Sequence, residues 1–292
     1  MPVPGGGSVL VRGRDILSSV LDDAKNEVGL ASARTVLIGG CSAGGLAAFL
    51  HADAIHAALP LAATVKVVAD AGFFVDASTV TGVLRHRELV LYEASMFNVS
   101  AGTANARCAA EFPDELWRCL LAQYVLPHVS TPTFVMQSQY DTYQLQNYFA
   151  PTWLSNVSSH WSVCIRSPSQ CDMGERRALR VEWLPQMVGA LRSSGALSQP
   201  DGHPAARGAF AHSCFLHCGL GPEEFPKLTA GGVTLRRAIS DWFHEVGSPA
   251  GGGFIHQEGP WPGNPFCPVS SCEPTTQPSD NHQLGQNSPR PP

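Results

Sequence analysis

One stretch constrains the fold more than any other: TVLIGGCSAGGLAAFLHADAI, from Thr35 to Ile55. Thr35–Ile38 is β-branched, apolar and short, as a buried strand is. Ala43 to about Leu59 is rich in alanine and leucine and is stopped by Pro60, as a helix is. Only Gly39-Gly40-Cys41-Ser42 lies between them. A strand that feeds a helix through so short a turn is the building unit of a parallel sheet. Glycines beside Ser42 let the two elements cross closely, while the serine itself is forced into an unfavourable backbone conformation.

The rest of the chain repeats this rhythm. Asp15 to Glu27 carries Ile16, Leu17, Val20 and Leu21 at helical spacing, and a turn at Gly29 precedes the first strand. Val65–Ala69 reads as a second strand ending at Asp70-Ala71-Gly72, and Thr133–Gln137 as a third, entered from Thr131-Pro132. Helices are expected over Arg176–Leu191 and Thr234–Val246. The predicted fold is therefore α/β: an α/β-hydrolase-like, mostly parallel sheet with helices on both faces. Residues 1–272 form this one domain, and 273–292, rich in Pro, Ser, Gln and Asn, form a disordered tail.

Gly40-Cys41-Ser42-Ala43-Gly44 satisfies the G-x-S-x-G pattern of a nucleophile turn. The helix beyond it aims its positive dipole end at the site, so the Ala43 N–H is a candidate oxyanion donor. A serine nucleophile needs a base, and the base needs an acid to orient it. Asp141 follows the third predicted strand by four residues and is the candidate acid, with Asp70 and Asp76 as rivals. For the base, AFAHSCFLHCGL offers His212 and His217, with His203, His244 and His256 further off. Chemistry alone separates His217 from His212 only slightly.

Taken in order, GGCSAGGLAAFLHAD, VVADAGFFVD, TPTFVMQSQYDTYQLQNYFAP, SCFLHC, ISDWF and CPVSSC resemble the pectin acetylesterase family, which also includes the carboxylesterase Notum. The similarity runs from about Val9 to Cys272, and the cysteine before the serine is closer to the plant-type acetylesterases. The resemblance implies Ser42 as nucleophile, Asp141 as acid and His217, inside the S-C-F-x-H-C pattern, as base. It implies ester hydrolysis through an acyl-enzyme with no metal or organic cofactor, acting on acetylated cell-wall polysaccharide. Asp70, Gly72, Phe73 and Phe74 are expected in the wall of the substrate pocket. It further implies local disulfides Cys108–Cys119 and Cys164–Cys171. Cys214, Cys218, Cys267 and Cys272 are expected to tie the histidine loop to the C-terminal segment in an undetermined pairing, leaving Cys41 as a buried thiol. Two other functions stay open: a Notum-like lipid deacylase, and a non-catalytic secreted binding protein on a hydrolase scaffold.

Composition excludes other classes. The formal net charge of -5 gives no footprint for nucleic acid, and no apolar run approaches the roughly 20 residues of a membrane span. Nine cysteines without any C-x-x-C pair favour disulfides over zinc, and hence an oxidising compartment. Asn98-Val99-Ser100 and Asn156-Val157-Ser158 are N-glycosylation sequons. The expected protein is a secreted, monomeric cell-wall enzyme. Its opening residues carry neither an apolar leader nor the Gly-Gly-Trp oxyanion loop of the family. Gly5-Gly6-Gly7 reads as a frayed terminus, so the chain is expected to be the C-terminal portion of a longer precursor, with its first strands missing.

Overall fold

The structure is a computed structural model that describes residues 2–3, 7–8, 11–60, 63–198, 207–245, 254–261 and 267. Segment 273–292, expected to be a disordered tail, lies outside the described residues, as do His203 and Cys272. Five strands form one sheet in simple chain order: β1 (Thr35–Cys41), β2 (Thr64–Asp70), β3 (Thr133–Ser138), β4 (Gly208–His212) and β5 (Phe254–Gln257). Every neighbouring pair is parallel. The helices that matter to the site are α1 (Gly13–Glu27), α2 (Ala43–Ala58), α3 (Arg85–Met96), α4 (Met173–Ala178), α5 (Leu184–Ser193) and α6 (Leu235–His244). None of the helices is long and apolar enough to cross a membrane among the described residues.

The period-2 alternation of strand side chains divides the core into two layers. Val67, Ala69, Val135, Ala209 and Ala211 point to one face, where Phe49 of α2 and Met187 of α5 cover them. Val68, Phe134, Met136 and Phe210 point to the other, beneath Leu235, Ala238 and Trp242 of α6. Both faces of the central strands are therefore dry, which is why β2, β3 and β4 read as near-continuous apolar runs rather than alternating ones. The two strands not anticipated from sequence, β4 (GAFAH) and β5 (FIHQ), lack the β-branched runs that mark strands. Burial between two neighbours makes β4 a strand, and pairing along one side of β4 makes β5 one; local propensity decides neither.

At the sheet margin the cover thins. Val36 and Ile38 of β1 pack with Leu17 and Leu21 of α1 and Ile55 and Leu59 of α2, but Leu37 on the opposite face is half exposed. Among the described residues β1 is hydrogen-bonded to a strand on one side only, and α1 has no fully buried residue. The expected helix over 176–191 begins earlier, at Met173, where Asp172 and Glu175 form a reciprocal capping box. It widens to a π-helical stretch over Leu179–Trp183. Pro185 follows two residues after its end, and the widened turn accommodates its missing N–H and ring.

Trp242 is fully buried and lies 5.4 Å from the ring of Phe134, centroid to centroid, closing the α6 layer. Trp242→Ala is expected to lower unfolding free energy by about 3–5 kcal/mol, read as a shift of the urea midpoint at unchanged slope.

Candidate functional site

Parallel strands all end on one side, so the loops after β1, β2, β3 and β4 share one edge of the sheet, where open α/β sheets bind their ligands. Ser42 follows β1, Asp70 ends β2, Asp141 lies three residues beyond β3, and His217 lies five beyond β4. The register puts Cys41 opposite Asp70 and Ser138 opposite His212, which fixes how these loops meet.

Ser42 has φ 58° and ψ -123°, a conformation rare for any residue with a Cβ. Its N–H donates to the Asp70 carbonyl at 2.9 Å, and its own carbonyl accepts from Leu46 N–H at 2.9 Å, so the turn is clamped on both sides. A Cβ on Gly40 would run into the carbonyl of Gly44, and one on Gly45 would sit 2.5 Å from the Asp70 carbonyl oxygen. Gly44, the last glycine of the G-x-S-x-G pattern, has open space where a Cβ would go. The crowded glycines are thus Gly40 and Gly45, together with Gly72, whose Cβ would strike the backbone of Gly45.

The structure brings the three predicted side chains together. His217 Nε2 is 2.7 Å from Ser42 Oγ, and its Nδ1 is 2.8 Å from Asp141 Oδ2. Asp141 is completely buried and further held by Gln144 N–H on Oδ1 at 2.9 Å and by the Gln137 amide on Oδ2 at 3.1 Å. Burial by itself works against the imidazolium of His217. The hydrogen bond and charge of Asp141, with the charge of Asp70, outweigh it and raise the His217 pKa above the ordinary 6.5. Chemically, such a chain can take a proton from the serine hydroxyl and stabilise the cation that forms.

The rivals are placed elsewhere. His212 lies in β4, wholly buried, its pKa lowered to about 3 by desolvation, with Nδ1 accepting from Cys214 N–H at 3.3 Å. His256 sits on β5 and His244 ends α6, neither bonded to Ser42. Asp76 binds Arg87 through both oxygens and accepts from the Tyr124 hydroxyl at 2.8 Å, a structural ion pair.

Of the four residues expected in the pocket wall, one faces the site. The Phe74 ring stands 6.3 Å from that of His217. Phe73 instead turns into the core against Phe49, and Gly72 is the point where β2's exit crosses α2. Asp70 does something the sequence did not reveal. Its Oδ2 accepts from the N–H groups of Gly219 and Leu220 at 2.8 and 2.9 Å, just beyond His217. Desolvation pushes its pKa up to about 6, against the opposing pull of those two N–H groups.

The cysteine expectations need one correction. Cys108–Cys119 and Cys164–Cys171 are paired as expected, and Cys214 pairs with Cys267. Cys41 is not a free thiol: it is bonded to Cys218, 177 residues away. The residue before Ser42 is thereby joined to the residue after His217. The signal was legible, because if Ser42 and His217 touch, their chain neighbours must lie within disulfide reach; here the Cα atoms are 5.8 Å apart. With both sulfurs in that bond, the cluster of Cys41, Asp70 and Cys218 offers no thiolate to a metal.

Sequence reasoning also missed Tyr143, whose ring stacks on that of His217 with centroids 5.1 Å apart. It missed Ser138 as well, whose hydroxyl donates to the Cys214 carbonyl at 2.5 Å and accepts from Tyr140 N–H at 3.0 Å, tying the acid loop to the base loop. Five non-glycine residues have positive φ among the described residues, and three of them, Ser42, Ala71 and Cys218, meet at this spot. Strain of about 1–3 kcal/mol at each is expected where geometry is over-determined for a purpose.

The profile of the pectinacetylesterase family matches residues 7–268. The chain belongs to this family. It is 31% identical over 269 residues to pectin acetylesterase 7 and 30% identical over 242 residues to pectin acetylesterase 11, both of Arabidopsis thaliana. These alignments take in 90% and 80% of the chain but only 64% and 58% of the relatives, so the chain spans about six-tenths of their length. Among solved structures, the Wnt deacylase Notum from Drosophila superposes with a TM-score of 0.63 at 26% identity, covering 88% of this chain and 65% of that one.

Replacing Cys41 and Cys218 together by serine is expected to cost about 2–5 kcal/mol of stability, measured by thermal or urea unfolding of the oxidised protein. A second prediction concerns pH. A carboxyl group with its folded pKa raised makes the folded state bind more protons than the unfolded one, so its stabilising contribution is lost as pH rises from 3.8 to about 6. His217, also raised, loses its contribution above 6.5. Asp70→Asn is therefore expected to flatten the fall in stability between pH 4 and 6 relative to the unmutated chain and, because the charge of Asp70 helps to raise the His217 pKa, to shrink the fall above 6.5 as well.

Proposed function

We propose that the chain is a serine carboxylic-ester hydrolase that removes acetyl groups from a cell-wall polysaccharide such as pectin. The observation that carries this reading is the unbroken hydrogen-bonded line from Ser42 Oγ through His217 to Asp141. In it, His217 Nε2 takes the Ser42 proton as Oγ attacks the ester carbonyl. Asp141 holds the Nδ1–H tautomer and stabilises the imidazolium. The Ala43 N–H, at the start of α2, lies in the first helical turn, where backbone N–H groups have no intrahelical partner, and it is the proposed donor to the oxyanion. The imidazolium then protonates the leaving sugar oxygen, and water, activated by the same histidine, releases acetate from Ser42.

Membership in the pectinacetylesterase family supports the acetyl substrate. The similarity to Notum keeps lipid deacylation as the second reading. Four disulfides among the described residues fit an oxidising, secretory location, and both sequon asparagines, Asn98 and Asn156, are exposed and open to glycosylation.

Ser42→Ala is expected to cut p-nitrophenyl acetate turnover on the order of a millionfold, and Asp141→Asn on the order of ten-thousandfold. Because His217 must be neutral to act, kcat/KM should rise with pH around a midpoint above 6.5. Preference for eight-carbon over two-carbon esters would favour the lipid reading instead. Failure of a serine-directed phosphonate to label Ser42 would favour a non-catalytic binding protein.

A further inference from the structure

Beside the Ser42–His217 pair lies a feature the hydrolytic chemistry leaves unused. A cavity of about 150 Å³, open to solvent, is lined by Arg85 and Leu89 of α3, by Tyr143, Asn147 and Tyr148, and by Trp153. It is well below the roughly 300 Å³ at which pockets begin to enclose a drug-sized ligand. Its openness suits one ring of a longer chain rather than a whole buried molecule. Tyr143 belongs to both places: its ring stacks on His217 and also forms the cavity's inner wall. Anything seated there is one ring-width from the imidazole.

The lining has a definite chemistry. Trp153 is 59% exposed and Tyr143 41%, so both leave aromatic surface open to a ligand in this cavity. Such faces stack on the C–H face of a pyranose, and Asn147, whose amide nitrogen donates to the Tyr143 carbonyl at 2.8 Å, has an amide oxygen to accept from its hydroxyls. Among the described residues Arg85 is the one charged residue in the lining, with no carboxylate beside it there. Its guanidinium lies 5.3 Å above the Trp153 ring, an arrangement that holds the planar fork in place. One of its nitrogens meets Glu88 at 3.0 Å, an exposed i,i+3 pair of the kind that contributes little, and a guanidinium has further donors with which to bind a carboxylate. The chain as a whole is negative, at -5, so an anionic polymer approaches against the general field and needs a local cation to hold it.

We propose that this cavity is a sugar subsite and that Arg85 determines its specificity by binding the carboxylate of a uronate unit in an acidic polysaccharide. The proposal deepens the acetylesterase reading and rests on it for the reaction, but the subsite's binding is measurable without any hydrolysis. A uronate presents a planar carboxylate on a ring, which matches a guanidinium fork beside an aromatic platform. A neutral sugar would keep the stacking and forgo the charge-assisted bonds.

The test is titration calorimetry of the whole chain with unacetylated oligogalacturonide, which carries no ester, and with a neutral galacto-oligosaccharide of equal length. The acidic ligand is expected to bind at least about tenfold more tightly, with affinity falling as salt rises. Arg85→Gln should abolish that preference. Arg85→Lys, which keeps the charge but loses the fork, should retain the salt dependence with reduced affinity. Trp153→Ala should weaken both ligands alike. Equal affinity for acidic and neutral chains, an unchanged preference in Arg85→Gln, or no binding of the oligogalacturonide would overturn the proposal. Binding as expected, with no hydrolysis of p-nitrophenyl acetate by the unmutated chain, would remove the esterase reading and leave the subsite standing.

Discussion

Ser42 and His217 are 175 residues apart in the chain, and their contact depends on a covalent bond between their neighbours, Cys41 and Cys218. Weak forces alone could bring the two loops near each other, since both leave the same edge of the sheet. Holding an imidazole within hydrogen-bond range of one hydroxyl is harder, because a small rotation of either loop breaks the geometry. The disulfide removes most of that freedom, and the Asp70 carboxylate, grasping two N–H groups just past Cys218, removes more. Asp70 is also the residue whose carbonyl accepts the Ser42 N–H. One end of β2 thus positions the turn on one side and the histidine loop on the other.

The close crossing of β1, α2 and the exit of β2 has the same logic. Gly40, Gly45 and Gly72 are small because backbone passes against backbone there. The consequence is a strained, inflexible turn in which Ser42 projects from the sheet edge, with the start of α2 directly beneath it. Strain at Ser42, Ala71 and Cys218 is sustained by the sheet register, the disulfide and the dry core below. The acid side is built likewise: Asp141 accepts from three donors, so its carboxylate is fixed before any substrate arrives.

Outward from this rigid centre, the surface becomes aromatic. Phe74, Tyr143 and Tyr148 meet edge to face around His217, and Phe74, Val90, Trp117 and Leu121 form a small core that anchors α3 beneath them. The mouth of the site is therefore supported by its own hydrophobic cluster, separate from the two layers of the main sheet. A site made of stiff side chains over a packed base presents a shape to a ligand rather than adapting to one.

Much of this was written in local residue order. The strand–turn–helix at Ser42, three of the five parallel strands, and the acid and base candidates were legible because each depends on near neighbours: β-branched runs, turn glycines, helical periodicity. Strands β4 and β5 were not legible, since pairing with distant strands decides them: β4 is buried between two partners, and β5 lies along one side of β4. Nor did periodicity distinguish His217 from His212; one faces the loop and the other is sealed in β4, a difference of tertiary position alone. The pairing of Cys41 with Cys218 followed only once Ser42 and His217 were known to touch, and the grip of Asp70 on the histidine loop, the stacking of Tyr143 and the inward turn of Phe73 required the folded molecule. They join residues dozens to nearly two hundred positions apart, and a linear sequence carries chemical identity but not the distance between side chains.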